Sequence, residues 1–591
     1  MNNQNQPLLS FEFASSTGEI QPMVFSEPLK IIAANRLEDV SVCFQEIQEA
    51  IEAGYYAAGY LSYESAPAFD PAFQVNANST MPFLWFGIFS EPQSGTLSSP
   101  GTYSLTEWVP SVSMDEYDAS IQAIKRAIEA GNTYQANYTI RLHSQFTGDD
   151  IAFFDFLKRG QAADYCAYLN TGDHRILSAS PELFFHLQGE RITTRPMKGT
   201  IKRGTSFFED KEKASWLYHS EKNRAENVMI VDLLRNDLGV IAEPGSVEVP
   251  KLFEIEPYPT VHQMTSTITA KLREGTELVD IFQALFPCGS ITGAPKIKTM
   301  EIISALEKAP REVYCGAIGY ITPHREAIFN VPIRTVVMDS KTGRATYGVG
   351  GGITWDSTTD GEYHEILAKS KLLEENRPEF QLLESLLLKD GEFFLLEEHL
   401  TRLSQSAEYF RFPLDLNKVS QALETLAKQK QEGDFKVRFL LSKKGEWELE
   451  AQPITPPVTP VKVALAEEPI DKNNPFFYHK TTNRTMYSYF QQQNPAVYDV
   501  LLWNQEGELT EFTNGNVVLE MDGMKWTPPI QSGLLAGTFR EHLLQTGEIH
   551  EKVLTIEDLK KSKKLWFINS VRRRVEVQWN EGTGMLSQKV R

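Results

Sequence analysis

The chain has 591 residues and a mass of 66.9 kDa, with 58 basic and 78 acidic side chains and a formal charge of −20. That acidic balance excludes a general nucleic-acid binder, whose affinity rests on a basic surface that neutralises phosphates. At roughly 100–200 residues per domain, a single small module is excluded as well. With 41% hydrophobic and 23% charged residues, the composition is that of a globular chain able to bury a sizeable core.

The four cysteines, Cys43, Cys166, Cys288 and Cys315, lie far apart and form no CxxC or Cys/His ligand spacing. Neither a disulfide framework nor a structural zinc site is expected, and a reducing, cytoplasmic setting fits best. The opening MNNQNQPLLSFEFASS has no basic stretch leading into an apolar one. No window reaches the roughly 18 uninterrupted apolar residues of a membrane span, so an unanchored protein is expected.

In chain order, Gly/Ser/Pro-rich sequence between apolar runs at 80–110 predicts a surface loop between strands. Through the first part, helix and strand signals alternate without a regular βαβ rhythm, which predicts an α+β layout with large antiparallel sheets. Three loops place glycine beside polar residues: TRPMKGTIKRGT (194–205), FPCGSITGAPKIKT (286–299) and YGVGGGITWDS (347–357). Glycine there either lets backbone approach an anionic ligand or closes a tight turn. GSITGAPK is not a phosphate-binding loop, because Ala294 and Pro295 separate Gly293 from Lys296. GVGGGI has Ile353 where a dinucleotide fingerprint needs its last glycine, so nucleotide binding is unsupported.

SEKNRAENVMIVDLLRNDLG (220–239) predicts a helix with Glu226 near its start and Gly239 as its stop. A second helix over 360–375 puts Glu362, Glu365 and Lys369 on one face. Two carboxylates so placed suit a hard cation such as Mg²⁺, although most Glu/Lys helices of this kind present a solvated, salt-bridged face. Near 372–381 the pattern shifts, and ESLLLKDGEFFLL reads as a hairpin around Lys389-Asp390-Gly391. EEHLTRLSQSAEYFRF then reads as an amphipathic helix with Leu400, Leu403 and Ala407 on one face. AQPITPPVTPVKV (451–463) has too many prolines for a helix or a central strand and links two lobes. The expected domains are residues 1–376 and 377–591, the second with lobes at about 377–455 and 462–591, and no internal repeat is present.

Taken in order, SASPELFF (178–185), TRPMKGT, AENVMIVDLLRNDLG, FPCGSITGAPK, VYCGAIGYI, NVPIRTVV, GVGGGI and GEYHEILAKSK resemble the chorismate-utilising enzymes, strongly over 120–375. LLSFEFA and AAGYLSYESAPAFD extend the resemblance more weakly into the N-terminal part. It implies Mg²⁺ held by Glu226, Glu362 and Glu365. It also implies a substrate site formed by Tyr314, Arg334, Lys369, Thr292 and the backbone of Gly350, Gly351 and Gly352. Glu182 matches the family's general acid. Lys198 in PMKGT matches the lysine that distinguishes aminodeoxychorismate synthases from anthranilate synthases, which carry alanine there. In VHQMTS, Gln263 follows His262 where many relatives have a histidine, so neither is assigned a role. No cysteine sits in a G-x-C-x-G turn, which implies that ammonia comes from a separate glutamine amidotransferase subunit.

HLTRLSQSA, HKTTNR, ELTEFTNGNVVL, TPPIQSGLLAGTFRE and FINSVRRRVEV, in that order, resemble the class IV pyridoxal-phosphate enzymes and imply a two-lobed fold and a homodimer. Lys480 matches the lysine that carries the cofactor, Glu511 the acid facing the pyridine nitrogen, and Arg402, Gly537 and Thr538 the phosphate ligands. The K-x-x-N-R context leans to the lyase members, and Arg573 stands where those often have glycine. The two resemblances together imply amination of chorismate to 4-amino-4-deoxychorismate, then elimination to 4-aminobenzoate and pyruvate. The alternatives are an anthranilate-type synthase joined to an amino-acid aminotransferase, or a C-terminal domain that has lost catalysis.

Overall fold

A computed structural model describes residues 6–15, 18–374, 377–455 and 457–579. The chain divides into two compact units, Met1–Arg203 with Ala214–Arg377, and Gly204–Lys213 with Pro378–Arg591. The joint expected at 376 and the end of the second lobe, 580–591, lie outside the described residues.

In the first unit two antiparallel sheets, of eleven and ten strands, carry the layout expected of an α+β protein. The core between them is aromatic. Leu9, Phe11, Phe13 and Phe25 from the larger sheet meet Tyr60, Trp85, Phe89 and Tyr320 from the smaller, and the Phe11 and Tyr320 ring centroids lie 5.4 Å apart, edge to face. Each sheet then buries its other face under helices. Val40–Glu52, Glu221–Gly239 and Leu278–Leu285 cover the smaller sheet, and Met114–Glu129 and Asp150–Gln161 cover the larger. Sandwiched strands such as Tyr56–Leu61 and Leu84–Phe89 therefore read as continuous apolar runs rather than alternating ones.

Local signals fix the helix ends. Ser220 accepts from the Asn223 amide at the start of Glu221–Gly239, and Thr358 does the same for Gly361 at the start of Thr359–Ser370. The second helix stops five residues before the predicted 375, because its last turn tightens into a 3-10 segment at Lys371–Leu373. The stretch 80–110 is more than a loop. It contains the buried strand Leu84–Phe89 and short edge strands at Gln93–Ser94, Tyr103–Leu105 and Val109–Pro110.

The second unit has a four-stranded antiparallel sheet under the helices Leu396–Phe410 and Leu416–Gln429, and an eight-stranded mixed sheet. The hairpin predicted at 389–391 forms between Leu382–Lys389 and Glu392–Phe393. Asp390 and Gly391 both take positive φ, 47° and 79°, as the tight turn requires. In the mixed sheet, Val461–Leu465 runs parallel to both Asp499–Trp503 and Arg573–Trp579. Among the described residues no helix is long and apolar enough to cross a membrane, and all four cysteines are buried and free.

Candidate active sites

The first site is built on the glycine-rich end of a strand. In Arg344–Ile353, a Cβ added at Gly348 would lie 2.3 Å from the Tyr314 ring, and one at Gly350 would lie 2.1 Å from Tyr138 O. One at Gly351 would lie 3.1 Å from Glu362 Oε2, 3.6 Å from Glu365 Oε1 and 3.9 Å from Lys369 Nζ. One at Gly352 would lie 3.4 Å from Lys198 Nζ. Bare backbone is thus the floor over which the Thr359–Ser370 helix and the Met197–Lys202 strand extend their polar ends.

Lys369 Nζ donates to Gly350 O at 2.7 Å and pairs with Glu365 Oε1 at 2.6 Å. Glu362 Oε1 accepts from Ser357 Oγ at 2.6 Å. Burial pushes the Glu226 and Glu362 carboxyls up, whereas Lys369 holds Glu365 down. Of the three glutamates expected to hold Mg²⁺, Glu362 and Glu365 meet at Gly351, and Glu365 acts electrostatically on Glu226 and Glu362. They do not form a ligand cluster: among the described residues no group of three or more His, Cys, Asp or Glu side chains is close enough to hold a metal ion. Lys369 engages Glu365 and Ser357 engages Glu362 instead. The donor chemistry still suits a hard divalent cation, since Glu226 and Glu362 are half-buried carboxyls with no ion-pair partner among the described residues.

Opposite the helix, Lys198 Nζ donates to Ser290 O at 2.8 Å. Burial lowers its pKa, with Glu182 and Glu226 opposing. Glu182 is 3% exposed, and burial pushes its carboxyl up to about 7, against hydrogen bonds from the Ser290 hydroxyl and the Met197 backbone. Its Oε1 has no hydrogen-bond partner among the described residues. Ser290 therefore touches both groups, through its hydroxyl and its carbonyl. Arg311 fixes this turn by donating to Ile291 O at 2.8 Å and Asn137 O at 2.7 Å, while bound to Glu307 Oε1 at 2.7 Å. The sequence reading flagged the loop but missed Ser290 and Arg311, because a serine or arginine carries no signal of the backbone it will meet.

Tyr314 is buried, with its ring against Gly348 and the Arg141 guanidinium 5.4 Å away. Arg334 takes φ 53°, and its carbonyl accepts from Ala179 N at 3.1 Å. Its half-buried guanidinium has no ion-pair or hydrogen-bond partner among the described residues, and burial lowers its pKa. Such a cation is placed to receive an anion. Thr292 uses its hydroxyl within its own loop, donating to Cys288 O at 3.2 Å and Gly289 O at 3.3 Å. Gln263 Oε1 accepts from Thr200 Oγ1 at 3.2 Å, with His262 buried beside it.

The second site surrounds Lys480. Burial, with Arg402 and Arg484 nearby, pushes its amine down to about 7, while Glu384 and Glu511 oppose. Glu511 is pushed up to about 8 by burial although Tyr487 Oη (2.7 Å) and Leu535 N (3.2 Å) donate to it. Arg402 donates to Glu384 through Nε (2.9 Å) and Nη2 (2.7 Å), and to Ala536 O at 3.1 Å. His399 bridges Glu384 (2.7 Å) and the Thr538 hydroxyl (3.2 Å). Gly537 caps the helix Thr538–Gln545, and a Cβ there would lie 2.0 Å from Asn516 Oδ1. Arg402, through Ala536 O, and Thr538, through His399, both meet this helix N-terminus, an end that favours anions. Glu384, His399 and Tyr487 escaped the sequence reading, since each acts through a partner distant in the chain. Arg573 has φ 56°, a conformation natural to glycine, and its guanidinium lies 4.5 Å from the Phe394 ring.

Residues 10–375 match the chorismate binding enzyme family, and residues 381–578 match class IV amino-transferases. The chain is 42% identical over 262 residues to aminodeoxychorismate synthase component 1 of Salmonella typhimurium LT2, covering 44% of this chain and 57% of that protein. It is 40% identical over 294 residues to the protein of the same name from Escherichia coli K12, covering 50% and 63%. It is 35% identical over 340 residues to anthranilate synthase component 1 of Methanothermobacter marburgensis, covering 53% and 73%. The chain thus spans less than two thirds of the length of the first two. Among solved structures, anthranilate synthase component I from Streptococcus pneumoniae TIGR4 aligns with a TM-score of 0.50 at 23% identity, over 63% of this chain and 93% of its own. The menaquinone-specific isochorismate synthase of Escherichia coli gives 0.51 at 16%, over 63% and 89%. Those two likenesses show the same fold. By its first 375 residues the chain belongs to the chorismate binding enzyme family, and a class IV amino-transferase domain follows it.

Proposed function

We propose that the chain makes 4-aminobenzoate in two steps, amination of chorismate to 4-amino-4-deoxychorismate and elimination to 4-aminobenzoate and pyruvate. The observation that carries this reading is the lysine of the first site. Lys198 is held over Gly352 beside Glu182, its amine made less basic by burial while the Glu182 carboxyl is made more so. A lysine that loses its proton readily is a nucleophile, and a carboxyl that keeps its proton near neutrality is a general acid. Glu182 protonates the departing 4-hydroxyl as the Lys198 amine bonds C2 of the ring and the double bond shifts. Ammonia then adds at C4, and the shift back releases Lys198. Arg334 and Lys369 receive the substrate carboxylates. Glu226, Glu362 and Glu365 would hold Mg²⁺, which grips a carboxylate when bound.

The second site fits pyridoxal phosphate: a buried amine of lowered basicity, a buried acid and a helix N-terminus that favours anions. When bound, the cofactor withdraws electrons from the substrate carbon. Lys480 would hold it and afterwards move the proton at C4 of the substrate. Glu511 would face the pyridine nitrogen, with Tyr487 orienting it, and Arg402, Gly537 and Thr538 would hold the phosphate. A glutamine amidotransferase subunit supplies ammonia, the class IV unit forms a homodimer, and the four buried free cysteines suit a reducing cytoplasm.

The test is incubation with chorismate, ammonium, Mg²⁺ and pyridoxal phosphate. 4-Aminobenzoate and pyruvate should appear together. Lys198→Ala should form no aminodeoxychorismate, and Lys480→Ala should accumulate it. Anthranilate as the product, or full amination by Lys198→Ala, would overturn the reading.

A further inference from the structure

Gln135 opens the strand Gln135–Gly148, which pairs with the glycine strand so that Asn137 faces Gly352 and Ala136 faces Ile353. Its side chain occupies the space that Gly352 leaves empty: a Cβ added there would lie 1.9 Å from Gln135 Nε2. The same added atom would lie 3.4 Å from Lys198 Nζ, so the carboxamide and the amine stand over one glycine. Gln135 is 2% exposed, yet its Oε1 is buried with no hydrogen-bond partner among the described residues. Leaving such a group unsatisfied is costly, and buried polar groups in folded proteins almost always have partners. The surrounding chain does not supply one. Thr133 turns its hydroxyl to the Gln135 carbonyl, and Ser290 O is engaged by Lys198.

We propose that Gln135 is a substrate-binding residue whose carboxamide hydrogen-bonds the ring hydroxyl of the substrate, which supplies the donor that Oε1 lacks. The inference rests on the chorismate reading and adds the group that recognises the neutral part of the substrate. The unmet atom is an acceptor, which a hydroxyl satisfies by donating and an ionised carboxylate cannot. The carboxylates have the cations Arg334 and Lys369. A site built to hydrogen-bond a hydroxyl discriminates strongly against an analogue that lacks it, because its own buried groups are then left unpaired.

The probes are two benzoates that carry an enolpyruvyl ether at C3, one with a hydroxyl at C4 and one without. Their binding to the full chain with Mg²⁺ is measured by calorimetry. The wild type should bind the hydroxylated probe about tenfold or more tightly than the other. Gln135→Met keeps the side-chain volume and removes both hydrogen-bonding groups, and should bind the two probes alike, with the affinity for the unhydroxylated probe unchanged. Gln135→Leu should do the same should the methionine variant fold poorly. Retention of the wild-type preference by a folded variant would overturn the assignment of Gln135 alone. A wild-type chain that binds neither probe and does not aminate chorismate would overturn the chorismate reading, and this inference with it.

Discussion

Glu182 and Lys480 show burial moving two groups in opposite directions, with opposite consequences as pH changes. The Glu182 carboxyl titrates near 7 in the folded chain and near 4.5 when free. Between those values the folded chain holds a proton that the unfolded chain has lost, so this contribution to stability declines as pH rises from about 4.5 through 7. Lys480 titrates near 7 folded and 10.5 free, so its contribution rises with pH across that window. For activity, a general acid that titrates near 7 gives an amination rate that falls above neutrality when free ammonia is held constant. Glu182→Gln should remove that falling limb and lower the rate by about 10²–10⁴. A wild-type profile flat from pH 6 to 8.5 would argue against the role. The sequence made Glu182, Lys198 and Lys480 legible because each sits in a short contiguous motif. It could not show Ser290, Gln135 or Glu384, whose importance exists only once distant strands are in register.

At the scale of elements, spacing on a single helix or turn was readable and tertiary packing was not. Glu362, Glu365 and Lys369 fall on one face because the helical repeat dictates it, and Asp390-Gly391 turns because those residues tolerate positive φ. The strand Leu84–Phe89 was obscured because both its faces are buried, which erases alternation. The strand Arg573–Trp579 carries a local cost that the sequence only hinted at. Relaxing Arg573 to glycine should recover about 1–2 kcal/mol of left-handed strain. It should lose about 0.5–1 kcal/mol of ring contact with Phe394 and about as much in chain entropy. Arg573→Gly should therefore unfold near the wild-type midpoint. Arg573→Ala keeps the strain without the ring contact and should be less stable by about 0.5–1 kcal/mol. An alanine variant as stable as the glycine one would contradict the strain account.

For the whole molecule, a net charge of −20 coexists with sites that, in the proposed function, select anions. The attraction must be local, from Lys198, Arg334 and Lys369 in one unit and from Arg402, Arg484 and Lys480 in the other, at ranges shorter than the roughly 8 Å screening length of physiological salt. Two sites on one chain invite a complementation test. Lys198→Ala and Lys480→Ala chains, each unable to make 4-aminobenzoate, should do so when mixed, after a lag while the intermediate builds up in solution. No product from the mixture would mean that the intermediate does not pass freely through solvent.

The glycine-rich strand at 348–352 also limits what redesign can achieve. At Gly348, Gly350 and Gly352 even a methyl group would strike a ring, a carbonyl or an amide. A library randomised along that strand would return mostly inactive clones. Altered selectivity has to come from the walls, from Gln135, Arg334 and the exposed side of the Thr359–Ser370 helix, while the base stays glycine.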